Sequence, residues 1–258
     1  MELELHTYLL LISAAFAGGF VDSIAGGGGI ITVPALMAAR IPPHIALATN
    51  KLQACFGSFT AAANYTHKDL VQPSKVIDGI IWTAIGAMTG AIIIQWIPAD
   101  ILNYIIPIML VAIFIYMLLS PDTGHIDQHA IMKAKVFYCI MGLAIGFYDG
   151  FFGPGTGSFW TIGFVALMGF NLKKATGHTK VMNFTSNIVS LITFIIGGKV
   201  YYLIGLTMGL GQMTGAYLGS KLVVSKGTKF VRVFFLIVVA TTIARIIYKL
   251  FNPDQAIQ

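Results

Sequence analysis

The sequence contains two copies of one passage, and each copy places an aspartate and a glycine-rich break inside an apolar stretch. The first copy is Gly19-Phe20-Val21-Asp22 with Gly26-Gly27-Gly28-Gly29, and the second is Gly146-Phe147-Tyr148-Asp149 with Gly153-Pro154-Gly155-Thr156. The copies are 127 positions apart. The repeat continues beyond this passage: Lys51-Leu52 matches Lys180-Val181, and the run 86–91 matches the run 211–216. The chain is therefore predicted to be a duplication, with residues 1–130 as the first transmembrane repeat and 131–258 as the second, in one integral membrane domain.

The composition indicates which solvent surrounds the chain. Hydrophobic residues make up 57% of the sequence, charged residues 10%, and the mean hydropathy is +0.82. So little polar surface cannot cover a water-facing globule, and long uncharged apolar stretches predict an all-α polytopic membrane protein. The opening apolar segment follows Glu2, Glu4 and His6 without a basic region, so we expect it to be retained as part of the fold. Cys55 and Cys139 lie in apolar segments and predict no disulfide, metal site or cofactor.

Ten apolar segments divide evenly between the repeats. They lie at 7–21, 30–39, 44–65, 76–97, 101–119, 136–152, 158–170, 181–197, 200–220 and 230–251. A helix that spans the hydrocarbon needs about 20 residues. The segments 44–65, 76–97, 101–119, 200–220 and 230–251 are long enough outright, and 181–197 with its flank. The pairs on either side of each glycine-rich break are shorter, and they predict either re-entrant helical hairpins or tilted, shortened spans.

The placement of basic residues predicts the orientation of these segments. If the segments alternate, the cytoplasmic loops carry Lys68, Lys75, Lys133, Lys135, Lys173, Lys174, Lys221, Lys226, Lys229 and Arg232, and the opposite side receives Arg40, Lys199 and Lys249. The positive-inside rule then places both termini outside the cytoplasm. The basic residues of these loops also account for the net charge of +6, so we expect no nucleic-acid partner. Because five segments per repeat is an odd number, the second repeat is predicted to enter the membrane in the opposite direction, as an inverted-topology repeat.

Several of these passages resemble those of a known family. The glycine-rich loop after Asp22, the run Ala48-Thr49-Asn50-Lys51-Leu52-Gln53 and the second passage from Gly146 to Gly155 are similar to those of the TauE/SafE sulfite-exporter family. The resemblance covers the whole chain in motif order and spacing. It implies a permease of the bacterial inner membrane that carries small sulfur-containing anions, such as sulfite or organosulfonates.

Asp22 and Asp149 are the two acids at the ends of apolar helices in equivalent positions of both repeats. A carboxylate at the centre of a membrane helix costs about 2.5 to 3.5 kcal/mol on insertion scales, so something must offset the cost. One interpretation is a site for coupling or gating, where the acid exchanges a proton or binds a cation. The other is that each acid caps the backbone N–H groups of its own glycine loop.

The candidate substrate-binding residues lie in the glycine loops and in a second polar cluster. This cluster consists of Asn50, Lys51 and Gln53 in the first half and of His178, Lys180 and Asn183 in the second half. The loops allow close backbone approach, and the helices that follow them offer N–H groups to an oxyanion; tight helix packing through small residues is the alternative. The lysines of the second cluster either provide a positive field or extend to the membrane interface. Together these candidates are Gly26, Gly27, Gly28, Gly29, Asn50, Lys51, Gln53, Gly153, Gly155, Gly157, His178, Lys180 and Asn183. The glycine pairs 86/90, 211/215 and 215/219 are interpreted as helix contacts.

The sequence contains no motif that indicates catalysis, so we expect no catalytic residues. The prediction is a secondary transporter of a small anion that works by alternating access in the lipid bilayer. Whether the chain forms a homodimer is left open. Two alternatives remain: a membrane enzyme, or a structural membrane protein without transport activity.

Overall fold

The structure, a computed structural model, describes residues 3–119 and 126–226. Regular structure in this part of the chain is helical throughout. The helices are α1 (Leu5–Ala25), α2 (Gly29–Ala38), α3 (Pro43–His67), α4 (Ile77–Ile94), α5 (Ala99–Leu119), α6 (Ala134–Phe151), α7 (Thr156–Met168), α8 (Leu172–Ile196) and α9 (Tyr202–Lys226), with one 3-10 turn at Pro73–Lys75. These helices correspond to the first nine predicted segments. The tenth segment, 230–251, lies outside the described residues.

Helix lengths differ from the sequence expectation next to the glycine-rich breaks. The helices that precede the breaks are long, 21 residues in α1 and 18 in α6, whereas those that follow are short, 10 residues in α2 and 13 in α7. Among the described residues, α1, α4, α6 and α8 are long and apolar enough to cross a membrane. Although α3 and α9 each have 25 residues, they are not among these four, because polar side chains and glycines make them less apolar. The described apolar part of α5, Ala99–Ile113, is shorter than a span.

The two faces of α4 carry side chains of different sizes. Its large side chains are exposed and recur every three or four residues, at Ile77, Ile81, Ile85, Met88 and Ile92. Its buried face consists mainly of small residues, namely Gly79, Thr83, Gly86, Ala87, Gly90 and Ala91. This arrangement reverses that of a water-soluble helix, whose large apolar residues face the core. It is the pattern expected where lipid surrounds the bundle and small residues let the backbones approach.

Small residues form the two most extensive helix interfaces, between α1 and α9 and between α4 and α6. A Cβ added at Gly215 of α9 would lie 2.0 Å from the backbone oxygen of Phe16 in α1. A Cβ added at Gly90 of α4 would lie 2.1 Å from the backbone oxygen of Phe147 in α6. The prediction that these glycines make helix contacts is confirmed. In both interfaces the helix before a glycine-rich break packs against the fourth helix of the other half.

The helices on either side of each break form a hairpin, and the two hairpins open toward different ends of α9. Leu11 of α1 and Leu36 of α2 pack in one cluster with Ile204, near the start of α9. Phe137 of α6 and Met168 of α7 pack in another cluster with Val223, near the end of α9. Each hairpin therefore returns to the end of the bundle from which it started.

The loops that carry many of the lysines lie at the same end of the bundle. Val71 and Val76, in the connection between α3 and α4, belong to the cluster that also contains Phe137 and Ala175 near the starts of α6 and α8. The connection therefore lies close to Lys133 and Lys135 before and within α6 and to Lys173 and Lys174 in α8. This grouping agrees with the charge pattern of the sequence.

Candidate functional site

The two glycine-rich breaks touch each other inside the helix bundle. A Cβ added at Gly26 would lie 2.3 Å from backbone atoms of Gly157, and one added at Gly29 would lie 3.1 Å from the Cα of Pro154. Contacts this short exclude any side chain at Gly26. The glycines of the two passages therefore bring the backbones of the two halves into direct contact.

Left-handed glycines end and start the helices at these breaks. Gly26 has φ +75° and donates its N–H to the carbonyl oxygen of Asp22 at 3.0 Å, which ends α1. Gly155 has φ +83° and immediately precedes α7. Residues with a Cβ adopt this conformation at a cost, so glycine is favoured at both positions. The breaks hold Asp22 and Asp149 at the last turns of α1 and α6.

The first buried ion pair joins Lys51 of α3 to Asp149 of α6. The distance from Lys51 Nζ to Asp149 Oδ1 is 2.5 Å, and the two side chains are 2% and 4% exposed. The hydroxyl of Ser186, in α8, donates a hydrogen bond to the other carboxylate oxygen. A Cβ at Gly153 would lie 2.8 Å from Lys51 Nζ, so the second glycine loop passes directly over this ion pair.

The second buried ion pair joins Lys180 of α8 to Asp22 of α1. Lys180 Nζ lies 3.1 Å from Asp22 Oδ2 and also donates a hydrogen bond to the backbone oxygen of Asp22. The side chain of Lys180 is 0% exposed and that of Asp22 is 18% exposed. The N–H of Gly28 contacts Asp22 Oδ1 at 3.4 Å. Asp22 thus contacts both a lysine of the other half and its own glycine loop.

These contacts bear on the alternatives that the sequence left open for the acids and lysines. Neither Lys51 nor Lys180 extends to the surface, because each is buried against a carboxylate. The capping interpretation describes only one contact of Asp22 and none of the described contacts of Asp149. Each ion pair instead joins the lysine of one half to the aspartate of the other half.

A polar cavity lies between the glycine loops and the long helices. Its volume of about 30 Å³ is large enough to hold water. Ten of the predicted site residues line it, together with four others. The lining consists of Asp22, Gly29, Asn50, Lys51, Gln53, Ala54, Asp149, Gly153, Gly155, Thr156, Gly157, Asn183, Asn187 and Gln212. The matched motifs of the two halves therefore converge on one cavity.

Five predicted site residues do not line the cavity. Gly26, Gly27 and Gly28 are buried beside it, and Lys180 is covered by Asp22. His178 lies against the rings of Phe164 and Phe170, with centroid distances of 5.4 and 4.8 Å. Residues two apart on a helix do not share a face, so His178 lies on a different face of α8 from Lys180. Its assignment as a substrate-binding residue stays a prediction.

The sequence interpretation missed Ala54, Thr156, Asn187 and Gln212. Asn187 has the helical spacing to Asn183 that places residues on one face, and this spacing could have identified it. Gln212 is a buried amide in the apolar helix α9, at the position where the first half has Ala87. This difference between the two halves could have identified Gln212 from the sequence. Ala54 and Thr156 correspond in the repeat to Asn183 and Gly29 of the other half, and this correspondence could have identified them.

Equivalent hydrogen bonds connect the short helices to the long ones that follow. Thr32 Oγ1 of α2 lies 2.6 Å from Asn50 Oδ1 of α3, and Thr161 Oγ1 of α7 lies 3.1 Å from Thr179 Oγ1 of α8. In each case the partners are 18 positions apart. These bonds fix α2 and α7 beside the lysine-bearing turns. Among the described residues, no group of three or more His, Cys, Asp or Glu side chains could hold a metal ion.

Comparisons with known proteins identify the family of this chain. The family model described as "Sulfite exporter TauE/SafE" matches residues 10–246. The "Probable membrane transporter protein YfcA" of Escherichia coli K12 is 48% identical over 93% of this chain and 89% of its own. "Probable membrane transporter protein ORF9" of a Sinorhizobium species is 44% identical over 100% of this chain and 97% of its own.

A "Probable membrane transporter protein" of Haemophilus influenzae is 39% identical over 96% of this chain and 97% of its own. No solved structure matches the chain. The family match covers most of the sequence, and these relatives are bacterial. The chain therefore belongs to the sulfite exporter TauE/SafE family of multi-pass membrane transporters.

Proposed function

We propose that this protein is a secondary transporter of a small anion, sulfur-containing such as sulfite or an organosulfonate, and that it works by alternating access. The observation that carries the proposal is the Lys51–Asp149 ion pair on the wall of a polar cavity, where the glycine loops of the two halves meet. A buried cation beside a cavity replaces part of the hydration that an anion loses on entry. The family's description as sulfite exporter supports the substrate class.

The cavity binds an anion only if Lys51 exchanges its partner. In the described conformation the ammonium of Lys51 is neutralised by Asp149, and Asp22 lines the same cavity. An arriving anion therefore competes with the carboxylate of Asp149. Protonation of Asp149 removes this competition, and binding of the proton together with a monovalent anion leaves the net charge of the site unchanged. We propose that Asp149 couples anion binding to a proton, while Asp22 and Lys180 hold the loops together.

The helix arrangement supports an inverted repeat. The two hairpins open toward different ends of α9, and α1 packs on α9 as α6 packs on α4. We propose that the halves are related by an axis in the membrane plane, as in many transporters whose site lies between inverted repeats. In this arrangement the N-terminus faces outward and the lysine-rich loops face the cytoplasm.

Labelling of single cysteines in intact cells tests the orientation. A cysteine at Lys199 should react with an impermeant reagent added outside, and a cysteine at Lys68 should react only after permeabilisation. The reverse pattern would contradict the proposed orientation.

Uptake by proteoliposomes tests the transport proposal. Purified protein should accumulate radiolabelled sulfite or a sulfonate when the outer pH is lowered, with up to about a tenfold change per pH unit for one coupled proton. The variant Asp149→Asn should retain anion binding, because the competing charge is gone, and should lose this pH dependence. Proton coupling would be contradicted if the uptake of every tested anion changed neither with pH nor in the Asp149→Asn variant.

The same preparation distinguishes the alternatives. Family membership points away from an enzyme. Chemical conversion of the anion without translocation would nevertheless support a membrane enzyme. Absence of both conversion and translocation across the candidate anions would support a structural membrane protein.

A further inference from the structure

Three buried amide side chains on the cavity wall have carbonyl oxygens without a partner. These are Gln53 of α3, Asn183 of α8 and Gln212 of α9, and their oxygens accept no hydrogen bond from the described residues. All three side chains line the cavity. Leaving a buried carbonyl oxygen unpaired is unfavourable, and such groups in a native structure call for a water or a ligand.

Gln212 lies in a pocket that glycines create for it. A Cβ at Gly57 would lie 2.5 Å from Gln212 Cγ, one at Gly18 would lie 3.3 Å from Gln212 Oε1, and one at Gly19 would lie 2.2 Å from the Gln212 backbone oxygen. The residue is 2% exposed. Glycines of two different helices, α1 and α3, therefore leave room for one polar side chain whose oxygen has no described partner.

These oxygens restrict the chemistry of the ligand. An anion without hydrogen atoms to donate would enter a cavity whose wall includes three amide side chains with unpaired oxygens and the carboxylate of Asp22. An anion that also carries an N–H or O–H group can donate to the oxygens while its charged group contacts Lys51. A metal cation would also suit the oxygens, so binding of sodium without an anion is the alternative that the test must distinguish.

Resting on the proposed anion transport, we infer that Gln212, with Gln53 and Asn183, selects small anions that carry their own hydrogen-bond donor. The anionic group binds at Lys51 and the donor group at the amide oxygens. The repeat does not duplicate this part of the site, because Gln212 corresponds to Ala87 and Asn183 to Ala54 in the other half. The cavity therefore orients its ligand in one direction.

Two anions of equal charge and similar size test this inference. Sulfamate carries an NH₂ group where methanesulfonate carries a methyl group. We expect the purified full-length protein in lipid nanodiscs to bind sulfamate about tenfold more tightly than methanesulfonate, as one additional hydrogen bond provides. Titration calorimetry measures both affinities. Equal affinities would overturn the inference and leave anion transport intact.

The variant Gln212→Met tests the residue itself, because methionine has a similar shape without the amide. We expect the ratio of sulfamate affinity to methanesulfonate affinity to fall about tenfold, to near one. Gln95→Met is the matched control, since the amide of Gln95 donates to the backbone of Ala91 and does not line the cavity; it should keep the preference. Asn183→Leu repeats the test from another helix if Gln212→Met does not fold.

Other outcomes are equally decisive. Survival of the full preference in both Gln212→Met and Asn183→Leu would overturn the inference. Stabilisation of the protein by sodium without any anion would overturn it in favour of a cation site. If the wild-type protein neither binds nor transports sulfamate, methanesulfonate or sulfite, the proposed function is overturned. Equal binding of sulfamate and methanesulfonate, by contrast, overturns only the inference about the donor group.

Discussion

The two buried ion pairs have the same chemistry and different surroundings. Lys51 and Asp149 both line the cavity, and the second glycine loop passes over them. Lys180 is covered by Asp22 through both its carboxylate and its backbone oxygen, and it does not line the cavity. Because only the Lys51–Asp149 pair lies beside the cavity, it is the pair that we propose to exchange its partner, whereas we propose a structural role for the Lys180–Asp22 pair.

The largest expected effect is the loss of stability on removal of Lys180, which tests the structural role of the Lys180–Asp22 pair. Lys180→Met leaves Asp22, whose side chain is 18% exposed, without its cationic partner. Removing one partner of a buried ion pair typically destabilises a protein by about 3 to 5 kcal/mol. Unfolding in detergent measures this loss, and Lys199→Met in a partly exposed connection should change stability by about 0.5 kcal/mol or less. Asp22→Asn in the same chain should restore most of the stability. Equal stability of Lys180→Met and Lys199→Met would contradict a structural role for the pair.

Disruption of the contact between the glycine loops should have the next largest effect. Gly26→Ala places a methyl group against the backbone of Gly157 at a left-handed position, which we expect to destabilise the fold by about 3 kcal/mol. Gly198→Ala is the matched control, because Gly198 has φ +66° but no atom within 4 Å of an added Cβ. It should cost only about 1 kcal/mol. Melting temperatures that fall equally in both variants would show that loop contact contributes nothing beyond backbone strain.

Ser186 supports the cavity-facing pair through a hydrogen bond to a charged group. Ser186→Ala removes the donor to Asp149 and should destabilise the protein by about 2 kcal/mol. Thr185→Ala is a neighbouring control whose hydroxyl bonds to the backbone of Val181 instead. Chemical unfolding distinguishes them, and a smaller loss for Ser186→Ala than for Thr185→Ala would contradict the importance of this contact.

The smallest expected effect compares the threonine bonds of the short helices. Thr161→Val and Thr32→Val each remove a neutral hydrogen bond and should each cost about 1 kcal/mol. Thermal unfolding of both variants tests whether α2 and α7 are held equivalently. A difference of more than about 2 kcal/mol between them would break the equivalence of the two hairpins.

The sequence predicted the helices because their positions depend on local patterns. Apolar length and glycine-rich breaks determine where helices begin and end, and the repeat marks Lys51 and Lys180 as corresponding residues. It did not predict that each lysine binds the aspartate of the opposite half, because such contacts depend on how the helices cross. The packing of His178 against Phe164 and Phe170 and the position of Gln212 at the cavity likewise depend on helix rotation, which the repeat alone leaves undetermined.

The most direct test removes one entire ion pair at a time. Lys51→Met with Asp149→Asn and Lys180→Met with Asp22→Asn are matched, because each removes one positive and one negative charge. Anion uptake by proteoliposomes, normalised to folded protein, measures the outcome. We predict that uptake is lost in the first variant and retained in the second. Equal loss in both variants, or loss only in the second, would contradict the claim that the Lys51–Asp149 pair is the one that handles the substrate.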